Sequence, residues 1–351
     1  MLQQPILTVE NLKTSFKSIE RGKLVKAVDD VSITLYPGEI VGLVGESGCG
    51  KSTLGRSIVG LEKPDSGRIT LDGVDLGSLS GARLRKARRA VQYVFQDPYA
   101  SLNERQTVAE TIREALLIGG LSLRTDQERR VSELLDQVGL ASVFKERYTR
   151  ELSGGQRQRV AIARSLAVEP RVLICDEPVS ALDLSIRAQV MNLFLSLQKD
   201  LGVACLFIAH DLALVRQAAS RVYVMYLGKL VEYGPSEAVY DRPSHPYTQL
   251  LLASVPDADP LRERARVVPL IEGEIPSPTN PPSGCRFRTR CPLAVEQCAS
   301  AFPPYLEMSP NHAAACYFAG DLYNGEKSAT GLPAPRTLPA VVASRLVTPQ
   351  L

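Results

Sequence analysis

Lys51 and Ser52 close the run GESGCGKS, residues 45–52, which fits the spacing G-x-x-x-x-G-K-[ST]. The apolar strand-like run EIVGLV precedes it and the helix-compatible TLGRSIVGL follows. In that context glycines let successive backbone N–H groups curl around phosphates, and the helix N-terminus adds its positive dipole end. Lys51 reaches the β and γ phosphates, and the Ser52 hydroxyl is a ligand for Mg²⁺. Gly45, Ser47, Gly48, Gly50 and Thr53 complete the nucleotide contact, with Cys49 as a compact filler. The bland alternative is a glycine-rich turn without a ligand, which Gly-Lys-Ser in this register disfavours. A second run, RVLICDEP (171–178), ends an apolar stretch with two carboxylates. Open α/β sheets bind ligands at such strand ends. Asp176 suits the Mg²⁺ shell, and Glu177 can orient or deprotonate a water for attack on the γ-phosphate. Alone this pair is a weak signal; beside a phosphate loop it is a strong one.

LSGGQRQRVAIARSL (152–166) adds a Ser-Gly-Gly turn leading into a helix, a second backbone-amide cradle for anions. One nucleotide does not need two cradles from one chain, whereas two chains arranged head to tail do. Here the sequence resembles the ATPase subunits of ATP-binding cassette (ABC) transporters, over residues 5 to about 240. LSGGQ resembles that family's signature, Gln96 in YVFQDPYASL its Q-loop, SALD (Ser180 to Asp183) its D-loop, and His210 in IAHD its switch histidine. The resemblance implies an α/β P-loop core carrying an antiparallel β subdomain and a helical insertion. It implies ATP and Mg²⁺, with Gln96 sensing the metal and His210 contacting the γ-phosphate beside Glu177. Phe16 in LKTSF is the aromatic expected to stack on adenine. Ser153, Gly154, Gly155, Gln156 and Asp183 would face a partner chain's nucleotide. The implied partners are a second ATPase subunit, in a homodimer or a heterodimer, two transmembrane permease subunits, and an extracytoplasmic solute-binding protein reached through the complex. The expected location is the cytoplasmic face of the bacterial inner membrane, as a peripheral subunit.

These residues need elements to hold them. ILTVENLKTSF, AVDDVSITLY and EIVGLVG read as short strands, with PGE as a turn, and GRITLDGVDL as a further strand and turn. TVAETIREALL and RRVSELLDQVGL each carry an apolar helical face. Strand character returns in RVLICDEP, VACLFIAHD and RVYVMYLGKLVEYG, alternating with helical stretches, which argues for a largely parallel α/β core. The expected division is a nucleotide-binding domain over 1–242 with a helical insertion at 97–160, an extension over 243–326, and a poorly ordered tail over 327–351. Composition is that of a globular chain: 351 residues, 44% hydrophobic, 23% charged. A net charge of +3 is too small to argue for nucleic acid. The basic run RLRKARRA (83–90) lacks interleaved aromatics and reads as a solvated helix face. No apolar run is long enough to span a membrane, and the start shows no secretory leader, so a reducing cytosol is expected.

That compartment bears on Cys285, Cys291, Cys298 and Cys316, separated by five, six and seventeen residues. A disulfide framework is disfavoured, and four clustered cysteines then favour a metal. The gaps are looser than the paired cysteines of structural zinc sites and differ from the common ferredoxin run, so spacing leaves the occupant open. SHPYTQLLLASVP and GEIPSPTNPPSGCRFRTRCPLA resemble the C-terminal extension of the oligopeptide/dipeptide importer subfamily, and FQDPYASLN resembles its Q-loop region. That resemblance implies a [4Fe–4S] cluster as the expected occupant, with zinc second and an unmetallated set third. The Pro-rich EIPSPTNPPSGC should be extended rather than helical. The functional expectation is ATP-driven import of peptides or related solutes. Its rivals are an importer of a nickel chelate, opine or glutathione, an exporter, a non-catalytic regulatory subunit, and a soluble ABC ATPase not coupled to transport.

Overall fold

The computed structural model describes residues 4–18, 22–121, 123–255 and 273–330. By compactness the chain forms two units. One runs to Ser220 and takes in Leu227–Lys229; the other takes Arg221–Tyr226 and continues from Leu230.

In the first unit, β1 (Leu7–Lys17) and β2 (Leu24–Leu35) pair antiparallel, and β4 (Ser66–Leu71) and β5 (Val74–Asp75) extend them in the order β2-β1-β4-β5. This is the antiparallel β subdomain expected from the sequence. A parallel set lies in the order β3-β8-β7-β6, formed by β3 (Ile40–Val44), β6 (Val91–Val94), β7 (Val172–Asp176) and β8 (Ala204–Ala209). Every residue of β3, β7 and β8 is buried, which is why their sequences are continuous apolar runs rather than alternating ones. Helices α1 (Lys51–Val59), α7 (Leu184–Leu201) and α8 (Leu212–Ala218) connect or flank these strands, and α2 (Gly81–Arg89) precedes β6. No residue of α2 is buried, as expected for its basic face.

The helical insertion comprises α3 (Pro98–Ser101), α4 (Val108–Gly119), α5 (Arg124–Gln137) and α6 (Gly154–Leu166). Helix α4 packs against α5 and α6, and α3 against α6. Thr107 and Glu110 close a capping box at the start of α4, and Gly120, at φ 98°, ends it in the left-handed region.

In the second unit, β9 (Arg221–Tyr226), β10 (Lys229–Pro235), β11 (Leu306–Ser309) and β12 (His312–Ala314) lie in the order β11-β12-β10-β9. Helices α9 (Ser236–Asp241), α10 (Pro246–Ala253), α11 (Gln297–Ser300) and α12 (Ala319–Tyr323) complete it. The Pro-rich lead-in, residues 273–283, is neither helix nor strand, as expected. Glu232 on β10 is wholly buried and accepts from Ser244 N (2.7 Å), His245 N (3.0 Å) and His312 Nε2 (2.8 Å). The tail expected over 327–351 lies outside the described residues from 331 onward.

The metal centre expected at Cys285, Cys291, Cys298 and Cys316 is corrected by the structure, for the [4Fe–4S] cluster and for zinc alike. Among the described residues no three His, Cys, Asp or Glu side chains are grouped to hold a metal ion. All four are free thiols. Burial pushes the Cys285 thiol up and those of Cys291 and Cys316 to about 12, so in this structure they stand as protonated thiols. Cys316 packs as a small apolar residue with Ala314, Ala319 and Leu322, and Cys285 N donates to Cys298 O at 2.8 Å. Cys285, Cys298 and Cys316 are buried and Cys291 is half-buried. Among the described residues no helix is long and apolar enough to cross a membrane.

Candidate functional site

Strand β3 delivers the chain to Gly45, and the loop turns into α1 through Gly48 (φ +77°) and Gly50 (φ +111°), backbone that side-chain-bearing residues rarely adopt. Cys49 N donates to Glu46 O (3.3 Å), and Gly228 N donates to Cys49 O (2.7 Å), so the loop is tied on both sides. Cys49 itself is 4% exposed, and burial pushes its thiol up, in keeping with a filler. Helix α1 has no side-chain cap and no acidic residue in its first turn, which leaves its leading amides open to an anion. Lys51 is only 5% exposed, and its Nζ donates to Gly45 O (2.7 Å) and Glu46 O (3.0 Å), curled over the loop from within.

Beside the loop, Ser52 Oγ donates to Asp176 Oδ1 at 2.9 Å, although 124 residues separate them. The parallel pairing of β7 beside β8 carries Asp176 to the strand end, as the sequence implied. Asp176 Oδ2 accepts from the Tyr93 hydroxyl at 2.6 Å. Tyr93 on β6 is buried, and burial followed by the neighbouring Asp176 charge pushes its phenol up, so it stays a donor. Sequence reasoning missed Tyr93, because nothing local marks it: only the β6–β7 pairing, Tyr93 opposite Ile174, brings it to Asp176.

The next residue, Glu177, gathers the other predicted catalytic groups. Its Oε2 accepts from Gln96 Nε2 (2.9 Å) and lies 3.1 Å from His210 Nδ1. Glu177 has φ 45°, an unusual backbone for a residue with a side chain, and its N donates to Ile208 O at 2.9 Å. Gln96 follows β6 and His210 follows β8, so three parallel strand ends converge at one edge.

The Ser153–Gln156 turn starts α6. Ser153 N donates to Gln156 Oε1 (3.0 Å) and Gln156 N to Ser153 Oγ (3.4 Å), a capping box within the turn rather than a bond to the phosphate loop. A Cβ on Gly155 would lie 2.4 Å from Ile186 Cγ2, and one on Gly154 would lie 3.3 Å from Leu182 Cδ2. Asp183 is exposed at the start of α7, and Phe16 is 36% exposed on β1. The structure therefore brings together Ser52 with Asp176, and Gln96 with Glu177 and His210; Phe16, Asp183 and the Ser153 turn stand on elements of their own.

The residues present fit a magnesium nucleotide. The glycine loop, open helix amides and inward lysine suit phosphates, and Ser52 with Asp176 supply the hard oxygen donors that Mg²⁺ prefers.

Two families match the chain: "ABC transporter" over residues 28–180, and "Oligopeptide/dipeptide transporter, C-terminal region" over residues 231–298. A putative peptide import ATP-binding protein of Brucella ovis is 48% identical over 316 residues, covering 90% of this chain and 98% of that one. The oligopeptide transport ATP-binding protein OppF of Salmonella typhimurium is 49% identical over 320 residues, covering 89% and 95%. Among solved structures, cbiO1 of Clostridium perfringens, part of an ABC transporter complex, aligns with TM-score 0.59 at 32% identity, covering 68% of this chain and 91% of that one. The ATP-binding cassette MJ0796, a dimer in a post-hydrolysis state bound to ADP and Pi, aligns with TM-score 0.58 at 28% identity, covering 66% and 98%.

Proposed function

We propose that this chain, which belongs to the ATP-binding cassette (ABC) transporter family, is the ATP-hydrolysing subunit of a bacterial peptide importer. The observation that carries the catalytic reading is the convergence of Gln96, Glu177 and His210 next to the Ser52–Asp176 pair. Loop amides of Gly45 to Gly50, the α1 N-terminus and Lys51 bind the phosphates, with Ser47 and Thr53 at the loop edges. Ser52 and Asp176 would hold Mg²⁺, with Gln96 in reach of it. Bound there, the metal would supply charge neutralisation to the phosphates. Glu177 orients a water and accepts its proton as the water oxygen bonds to the γ-phosphorus and the bond to the ADP oxygen breaks. His210, 3.1 Å from the same carboxylate, holds Glu177 and the γ-phosphate in line. Phe16, partly exposed, offers its face to adenine.

The capping box takes the Ser153 and Gln156 amides, and the Gly154 and Gly155 amides at the head of the helix remain for a ligand brought by a second chain. In this reading Ser153, Gly154, Gly155, Gln156 and Asp183 of each ATPase subunit face the other's nucleotide, and ATP closes the pair. The second subunit is this chain again or a related one. The pair docks on two permease subunits at the cytoplasmic face of the inner membrane, and a solute-binding protein delivers the solute. Peptides are favoured over nickel chelates, opines or glutathione because the relatives over nearly the whole chain are named for peptide import or oligopeptide transport.

Replacing Glu177 with Gln tests the chemistry. The Glu177→Gln chain is expected to lose ATP turnover by about 10²-fold or more while still binding ATP, because it removes the proton acceptor and leaves the phosphate loop intact. Turnover near the wild-type rate would overturn the base assignment. Nucleotide exchange monitored with a fluorescent ATP analogue separates that result from a collapsed pocket.

A further inference from the structure

We infer that Tyr93 is a positioning residue for the magnesium site: its hydroxyl fixes the plane of the Asp176 carboxylate so that Oδ1 faces Ser52 and the metal. This rests on the magnesium-nucleotide reading above and goes beyond it, since neither the phosphate loop nor the strand-end carboxylates involve residue 93.

Asp176 is 2% exposed, so its oxygens have almost no water to turn to. Its two oxygens have separate donors on opposite sides: Ser52 Oγ at 2.9 Å on Oδ1 and the Tyr93 hydroxyl at 2.6 Å on Oδ2. A carboxylate rotates freely about its last bond unless both oxygens are held. With Oδ2 clamped, Oδ1 presents one fixed edge to Ser52. The tyrosine is itself closely packed. It is 7% exposed, and its ring sits against Phe95 with centroids 4.7 Å apart. The ring also fills the space under α1 that a side chain at 55 would need. A Cβ on Gly55 would lie 3.1 Å from Tyr93 Cε2 and 3.0 Å from both Ile174 Cγ2 and Ile208 Cδ1. The helix that begins at the phosphate loop therefore rests on the ring whose hydroxyl holds the metal carboxylate. Outer partners of this kind orient the ligands they touch, and losing one typically weakens metal binding by about 10- to 100-fold.

The experiment uses the full chain and Mn²⁺ as a spectroscopic substitute for Mg²⁺, titrated with a non-hydrolysable ATP analogue and followed by electron paramagnetic resonance. Tyr93→Phe keeps the ring and removes one oxygen. The expected result is about tenfold weaker Mn²⁺ binding and a similar rise in the Mg²⁺ concentration giving half-maximal hydrolysis. The rate at saturating Mg²⁺ and nucleotide binding in EDTA should stay near wild type. Tyr93→Met, apolar and without a hydroxyl, should reproduce the shift if the hydroxyl is what matters. Unchanged Mn²⁺ affinity in Tyr93→Phe would overturn the inference. So would an equal loss of nucleotide binding in EDTA, since that would mean a disturbed pocket rather than a turned carboxylate. A wild-type chain that binds no Mn²⁺ with the analogue would instead overturn the ATP-site reading itself.

Discussion

At Gly155 the demand for glycine comes from a neighbour rather than from backbone conformation. A Cβ there would sit 2.4 Å from Ile186 Cγ2, closer than real side chains approach. Gly155→Ala is therefore expected to lower stability by about 1–3 kcal/mol through overpacking, despite alanine's better helix propensity. A double-mutant cycle checks the cause: in an Ile186→Ala background the same substitution should cost far less, read from denaturant midpoints. The sequence placed Gly155 in a Ser-Gly-Gly turn before a helix, because that is a local pattern. It could not show Ile186 behind it, nor Tyr93 behind Asp176, because those meetings depend on chain segments folded together from dozens of residues apart. Residues that touch a ligand leave a compact signature, while residues that hold them in place do not.

Helix α3 shows what the element scale adds. Asp97 caps it by accepting from Tyr99 N at 2.8 Å, with Pro98 at its first position, so four residues form a stable turn right after Gln96. Arg157 on α6 then ties that turn to the signature helix. Its guanidinium lies 4.2 Å from the centre of the Tyr99 ring, donates to Leu152 O (3.2 Å) and Arg150 O (2.9 Å), and approaches Glu104 at 3.5 Å. Arg164 Nη1 adds a bond to Ser101 O at 2.5 Å. Replacing Arg157 with Met should cost about 2–3 kcal/mol, since buried carbonyls lose a charged donor. Limited proteolysis should then cut faster between Asp97 and Gln106 than in wild type. Equal cutting would mean that α3 is held by other contacts. Helices α4 and α5 were legible from periodicity, and the capping box at Thr107 and Glu110 agrees with it, whereas α3 was not read from the sequence. Their mutual attachment was not legible, because one arginine's reach has no sequence period.

For the whole molecule, strand and helix alternation gave the parallel core, and the glycine, serine and carboxylate motifs marked its candidate functional edge. The later cysteines were the misleading signal: their clustering and the resemblance suggested ligands, and among the described residues no metal-holding group forms. The grouping of β9 and β10 with β12 was also hidden, since it depends on Glu232 pairing with Ala314 far along the chain. That second unit carries a pH liability. His245 caps α10 through Nδ1, which accepts from Tyr247 N at 3.1 Å, and burial pushes its pKa from 6.5 down to about 3. Glu232 and His312 face it through the Glu232 bond to His245 N. The unfolded chain takes up a proton on this histidine below pH 6.5 and the folded chain does not until about pH 3, so stability is full above 6.5 and drains as pH falls through that window. The slope from this group approaches about 1.4 kcal/mol per pH unit. His245→Asn keeps a cap acceptor and removes the titration. Its melting temperature should therefore fall less steeply than wild type between pH 6.5 and 4.5, and parallel curves would show that His245 does not set the trend.

The backbone at Glu177, at φ 45°, has a consequence for anyone breeding this protein for toughness. Glycine would sit there more comfortably, by about 1 kcal/mol, and asparagine would also tolerate the bend. Both would discard the carboxylate. Selection for heat resistance alone would thus reward chains that had traded their chemistry for comfort, and only a screen that also demands turnover would keep glutamate in its awkward seat.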